Sequence, residues 1–252
     1  MAVLAEDLLL LAFDEDRPTE PAHYRGHLTV GLVAALLGDL SLLGRARISE
    51  ATVRVLDTSP TDDTLLDEVL HILASTRQLF SPGEWLNGLP RHLTMLEERL
   101  VDRLVARGSL RRTLDGFVAT QQLPLPPELQ AIEERRMAGA PISADERERL
   151  VTYLGRRRRG LLVQRMRAVL LQGDACEEEL RLLISLAVAT RLFGQLYDQD
   201  EGMRMRGQVQ IVTAREPLGE AVRQLRRSWF TTGYAVPTEH DPFPETPPWA
   251  RY

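Results

Sequence analysis

Residues 60–70 read PTDDTLLDEVL, and whether the acids there do chemistry or begin a helix decides how the chain folds. Turn residues run straight into a leucine stripe. Leu66, Val69, Leu70 and Leu73 fall at i, i+3, i+4 and i+7, one face of a helix. Thr64 and Asp67 have the spacing of a capping box, and Asp62 and Asp63 sit where the helix dipole favours negative charge. Asp67 and Glu68 are neighbours on that helix and diverge by about 100°, so they do not form a carboxylate pair on one substrate. The acids start a helix.

Outward from this point the same pattern repeats. Upstream, residues 5–13 read as a short apolar helix, followed by an acidic, proline-bearing loop. Residues 25–43 carry Leu28, Leu32, Leu36, Leu40 and Leu43, a helical stripe ending at Gly44. The stretch ISEATVRVLD, 48–57, alternates through Val53 and Val55 and predicts a small strand pair. Downstream, Ser81-Pro82 opens a short helix with Trp85, Leu86 and Leu89. Pro90 opens another, in which Leu93, Leu96, Leu100 and Leu104 form the buried stripe and Gly108 is placed as its C-terminal cap. Residues 109–123 predict a β-hairpin turning at Asp115-Gly116. Ser143 with Glu146 is a second capping box, and its helix is expected to break at GRRRRG, 155–160, before resuming. The segment from 176 predicts a central helix, since LRLLISLAVATRLF is apolar around most of its circumference. Helices over 201–214 and 217–229 follow. The expected fold is mainly α: one helical-bundle domain over 1–230, with a small strand pair and a protruding hairpin, then a proline-rich tail over 231–252.

Composition narrows the function. With 44% hydrophobic and 27% charged residues the 252-residue chain has the balance of a soluble globular protein. A formal net charge of -5 argues against general adhesion to nucleic acid, so any contact with phosphates needs a local basic patch. All 31 basic residues in the Lys and Arg count are arginine. A GC-rich genome is the simplest source of that bias, and it leaves no lysine for a Schiff base or a phosphate loop. The lone Cys176 excludes an intramolecular disulfide and a multi-cysteine zinc site. MAVLAEDLLLLAF lacks a basic n-region, so it does not read as a signal peptide. The apolar run LLISLAVA, 182–189, is far short of the ~20 residues that span a bilayer. The expected location is the cytoplasm, with a peripheral place on the inner face of a membrane.

No GxSxG, HExxH, GxGxxG after a strand or Walker loop occurs, and no catalytic residue, metal site or cofactor is expected. An enzyme with an unrecognised site is the remaining reading of that kind. His23 and His27 have metal-ligand spacing, but Pro21 and Gly26 disturb the helix such a pair needs, and they read as unpaired histidines. Two features are placed to bind anions. One is Tyr24 and Arg25 ahead of a helix, together with Arg91 in the first turn of another. The other is the stretch 147–167, with eight arginines against Glu148 and its centre at Arg156, Arg157, Arg158 and Arg159. That stretch is either a solvated helix face or a contact with lipid or nucleic-acid phosphates.

The order AEDLLLLAFDED, GLVAALLGDLSLLGRARI, PTDDTLLDEVL, ERLVDRLVARGSL ahead of a hairpin, and LRLLISLAVA resembles the Golgi phosphoprotein 3 family over about residues 4–200. The resemblance implies a helical bundle with a protruding hairpin, a non-enzymatic peripheral membrane adaptor, and recognition of phosphatidylinositol 4-phosphate. It also implies partners among cytosolic protein tails, and a hairpin (Leu114, Asp115, Gly116, Phe117) that touches a second copy or a bilayer. Bacterial homologues exist, and the lysine-free composition is similar to theirs. The family's headgroup tryptophan falls on Tyr24, its helix arginine on Val33, and its paired arginines on Thr94 and Glu97. The alternative is a winged-helix DNA-binding regulator, with the helix ending at Gly108 as reader and Arg111 and Arg112 on the wing.

Overall fold

In the computed structural model, which describes residues 3–13, 25–119, 127–137 and 141–231, the first helix is α1 (Val3–Leu11). It is enclosed on every side. Leu4 to Leu11 are all buried, Glu6 and Asp7 included. The long leucine-rich helix α2 (Arg25–Leu42) packs along it. The Leu4 and Ala5 N–H groups at the open end of α1 donate to the Asp39 carboxylate at 3.1 and 3.3 Å, so α1 is capped by a side chain of α2.

Two glycines set how closely these helices approach. A Cβ on Gly31 would lie 2.3 Å from Thr190 Cγ2 and 3.3 Å from Leu8 Cδ2; one on Gly38 would lie 2.8 Å from Leu4 Cδ2 and 3.6 Å from Leu182 Cδ1. Both α1 and α8 (Glu178–Ala189) therefore run antiparallel to α2. The expected central helix is α8, buried from Leu182 to Ala187, but it shares the centre with α1 and α2.

Smaller elements close the bundle. Strands β1 (Ala46–Ile48) and β2 (Val53–Val55) form the expected antiparallel pair, starting two residues earlier than the alternation indicated. Helix α3 (Thr64–Ser75) buries Leu66, Val69, Leu70 and Leu73 as its period requires. Its cap lies one residue upstream of Thr64: Asp63 accepts from the Leu65 and Leu66 N–H groups at 3.0 and 3.4 Å, while Asp67 accepts from Thr61. A capping box does open α4 (Pro82–Gly88), between Ser81 and Glu84.

The helix expected from Pro90 is not continuous. Leu89–Arg91 form a single 3-10 turn, Met95 takes the left-handed conformation at φ 52, and α5 (Leu96–Ala106) begins there. Leu93 is still buried, so the apolar period survives the break. Gly108, at φ 72, ends α5: its N–H donates to the Val105 carbonyl and that of Ser109 to Leu104, a Schellman arrangement.

β3 (Leu110–Thr113) and β4 (Gly116–Ala119) pair with Thr113 opposite Gly116. The two turn residues are thus Leu114 and Asp115, one position earlier than the Asp-Gly signal indicated. Gly116 opens β4 at φ 133. α6 (Pro127–Met137), which has no strong sequence period, precedes α7 (Ala144–Arg167). α7 starts at the Ser143–Glu146 capping box and runs unbroken through GRRRRG, against expectation. Arginine is a good helix former, and the two glycines cost only about 1 kcal/mol each. A π turn at Ala168–Gln172, then α9 (Phe193–Leu196), α10 (Gln199–Val212) and α11 (Pro217–Thr231) complete the described chain. The tail from 232 lies outside the described residues.

α7 is tied to the centre by charge. Arg158 Nη1 lies 3.2 Å from Glu6 Oε2, its Nε pairs with Asp7, and its Nη2 donates to the Val3 carbonyl at 3.3 Å. Arg107 and Arg103 approach Glu6 from α5, and Arg103 also grips Asp63 through two bonds of 2.9 and 3.1 Å. Burial raises the Glu6 pKa, opposed by Arg107, Arg158 and Arg103. It pushes Asp7 up to about 6 against Arg158, and Asp39 up to about 7 against its two N–H donors.

Two measurements test this account. Gly31→Ala should overpack the α2–α8 crossing and cost about 1–3 kcal/mol. Adding Thr190→Ser, which removes Cγ2 and keeps the hydroxyl bonded to the Leu186 carbonyl at 2.7 Å, should restore most of the loss; equal effects with and without Thr190→Ser would show that the crossing is not the limiting contact.

The second concerns pH. The folded protein holds the Asp7 and Asp39 protons more tightly than the unfolded chain, where aspartates titrate near 4. That contribution to stability is complete below about pH 4 and is lost as pH rises through about 6 for Asp7 and about 7 for Asp39. Asp39→Asn should therefore flatten the decline of thermal stability between about pH 4 and 7, where one displaced proton accounts for at most about 1.4 kcal/mol per pH unit. An unchanged slope would place the titrating group elsewhere.

Candidate functional site

The residues expected to hold a headgroup are dispersed by the fold. Tyr24 lies outside the described residues, as do the side chains of Arg25, Arg156 and Arg157. Arg91 belongs to the 3-10 turn before α5, and α2 packs against that turn. Because Met95 interrupts the helix, Arg91 and Thr94 do not share a helical face as the sequence spacing implied.

The three aligned family positions hold no cation here. Val33 is fully buried in the core, Thr94 is exposed, and Glu97 stands at the start of α5. Thr29 Oγ1, on α2, donates to Glu97 Oε1 at 2.5 Å. Where the family resemblance implies a cluster of guanidiniums, this chain bridges α2 and α5 by a neutral donor to a carboxylate.

The arginine patch on α7 is divided. Arg158 is engaged with Glu6, Asp7 and Val3 and is a structural tie, so it does not belong to a four-arginine surface. The hairpin forms, but of the two apolar residues expected to touch a partner Phe117 is turned toward the core. Leu114, at the turn, is 104% exposed, and Arg112 lies over the Phe117 ring at 5.3 Å from its centre. Phe117 meets Phe13 edge to face at 6.1 Å, which fixes the base of the hairpin to the end of α1. Val118 and Ala119 are buried beneath it.

The sequence reading missed a second cationic group. His27, one turn into α2, is held below the usual imidazole range first by burial and then by the charges of Arg226 and Arg191. Arg226 Nη1 donates to the carbonyl of Ala189, the last residue of α8, at 2.7 Å. Arg223, Arg226 and Arg227 fall at i, i+3 and i+4 on one side of α11. Residues 27, 191 and 223–227 are far apart in sequence, so no local motif could have announced this corner.

The opposite end of α2 carries a cleft of about 170 Å³ lined by Ser41, Ile48, Glu178, Arg181, Arg215 and Glu216, among others. Its charges balance. Glu216 is already committed to the start of α11, accepting from the Leu218 and Gly219 N–H groups at 2.9 and 2.5 Å. Among the described residues no group of three His, Cys, Asp or Glu side chains is placed to hold a metal ion, and no helix is long and apolar enough to cross a membrane.

The winged-helix alternative fails on α5. A recognition helix needs a free basic face, and the arginines of α5 are turned to other work: Arg99 bonds Glu68 at 2.7 Å, Arg103 bonds Asp63, and Arg107 pairs with Glu6. No curated protein matches the chain. The model of the Golgi phosphoprotein 3 (GPP34) family matches residues 4–228, and the chain belongs to that family.

Proposed function

We propose that this protein is a non-enzymatic peripheral adaptor that docks on anionic lipid surfaces, hairpin tip first, and holds cytosolic protein tails there. The observation that supports it is the hairpin: a fully exposed Leu114 flanked on β3 by the exposed Arg111 and Arg112. An apolar tip on a basic stem suits the boundary between acyl chains and acidic headgroups. Burying one leucine contributes about 1.5–3 kcal/mol, and each arginine near an anionic surface about 1 kcal/mol. The hairpin by itself thus supplies roughly 4 kcal/mol, a millimolar affinity. Stable docking needs further cations, and Arg156, Arg157 and Arg159 of α7 are the ones we assign to it.

Phosphatidylinositol 4-phosphate is the headgroup that the family resemblance implies. Val33, Thr94 and Glu97 weaken selectivity for it, since a carboxylate near a phosphate repels it by about 1 kcal/mol at an effective dielectric near 20. The protein should therefore bind phosphatidylinositol 4-phosphate and other anionic lipids of equal charge with similar affinity. Binding should fade as salt shortens the Debye length below about 8 Å.

Vesicle sedimentation tests the proposal. Leu114→Glu should reduce binding to anionic vesicles severalfold with no loss of thermal stability. Joint replacement of Arg156, Arg157 and Arg159 by glutamine should do the same, whereas Arg158→Gln should destabilise the fold by about 3–5 kcal/mol because it leaves buried acids uncompensated. Unaltered sedimentation of Leu114→Glu, with a changed molecular mass by light scattering, would assign the tip to a second copy of the chain instead.

A further inference from the structure

The cleft at the far end of α2 draws its lining from four parts of the chain. Ser41 comes from the last turn of α2, Ile48 from β1, Arg181 and Leu182 from the start of α8, and Arg215 to Leu218 from the passage of α10 into α11. The hairpin is carried at the opposite end. Leu4 meets Gly38 and Leu8 meets Gly31, so Phe13, which holds Phe117 edge to face, lies level with the first turn of α2. At a rise of about 1.5 Å per residue, Phe13 and Ser41 stand on the order of 20 Å apart along the bundle. A surface that receives the hairpin meets one end of the molecule, and the cleft lies at the other.

The charges of the cleft are equal in number but not in availability. Glu216 is buried, and both of its oxygens accept N–H groups at the start of α11, so the helix end already compensates it. An incoming group meets Arg181 and Arg215, both exposed, and the exposed carboxylate of Glu178. Among the described residues neither guanidinium closes an ion pair. Arg181 lies beside the Cys176 thiol, a weak and neutral acceptor that leaves its charge unmatched. Arg215 holds the left-handed conformation, φ 60, where glycine is the favoured residue. The backbone is strained at the point from which it presents a cation to the cleft.

We propose that this cleft binds the free C-terminal carboxylate of a peptide whose last side chain is aliphatic. Two guanidiniums against one carboxylate leave a single positive charge, which matches a carboxylate better than a doubly charged phosphate ester. The planar donors of arginine meet a carboxylate through paired parallel bonds. Ile48, Leu182 and Leu218 supply an apolar wall beside those donors. A volume of about 170 Å³ lies below the roughly 300–1,000 Å³ of pockets that enclose a whole drug-sized molecule. It admits one terminal residue and leaves the rest of the peptide outside. Capture of a chain terminus is a recurring mode of peptide recognition. The inference rests on the reading of this protein as an adaptor for protein tails and deepens it: the tail gains a chemistry and a place remote from the hairpin.

Titration of the full chain with N-acetyl-glycyl-glycyl-leucine, followed by the NMR shifts of the protein's amide groups, tests the site beside the same peptide ended by an amide. The acid should bind, and the amide should bind about tenfold or more weakly, the loss expected for charge-assisted hydrogen bonds. Arg181→Gln and Arg215→Gly should each weaken binding of the acid severalfold and narrow its advantage over the amide. Arg215→Gly also relieves the backbone, so its melting temperature should equal or exceed that of the parent, which separates lost binding from lost fold. Equal binding of acid and amide, no binding of the acid, or parental binding by both variants would overturn the proposal. Free leucine that binds as tightly as the peptide would overturn the tail as occupant and assign the cleft to a free amino acid. Vesicle sedimentation separates this inference from the docking reading: Arg215→Gly should sediment as the parent does, and Leu114→Glu should keep its peptide. Bound anionic vesicles with no bound peptide sink the cleft and leave docking standing; bound peptide with no bound vesicles does the opposite.

Discussion

Glu6 and Asp7 are carboxylates on a helix buried on every side, and the rest of the fold is arranged to make that tolerable. An unpaired charge in an apolar interior costs several kcal/mol even after relaxation. Three guanidiniums meet the demand, Arg103 and Arg107 from α5 and Arg158 from α7. Each ties a helix remote in sequence to α1. Asp39 of α2 completes the arrangement by accepting the N–H groups that open α1. The cluster is therefore a set of positional constraints more than a source of net stability. A well-packed apolar replacement could match its energy, but it would not specify which helices meet.

The same logic shows which arginines are structural. Arg103, Arg107 and Arg158 are each engaged by a buried acid, and Arg99 by the half-buried Glu68. At the other end of α2, Arg223 is paired with Glu220 and Arg226 with the Ala189 carbonyl.

The packing of the central helices is independent of the positions that the family resemblance implies for a headgroup. Gly31 and Gly38 hold α1, α2 and α8 together at close range, and nothing in that packing requires a cation at Val33, Thr94 or Glu97. The Thr29–Glu97 bond joins α2 to α5 in this chain.

Periodicity and capping chemistry in the sequence determined the helical class, the stripe of α3, the boxes that open α4 and α7, the Gly108 cap and the existence of the hairpin. Each depends on residues within one or two turns of each other, and local propensity acts over that range. The errors were local competitions decided by distant contacts. The α3 cap moved to Asp63, where Arg103 also binds; α7 passed through two glycines with Arg158 anchored to Glu6 and Asp7. Only the tertiary structure decided which arginines are structural and which share a surface. Those pairings join residues as far apart as Glu6 and Arg158, and charge carries no periodicity that marks its partner in a sequence.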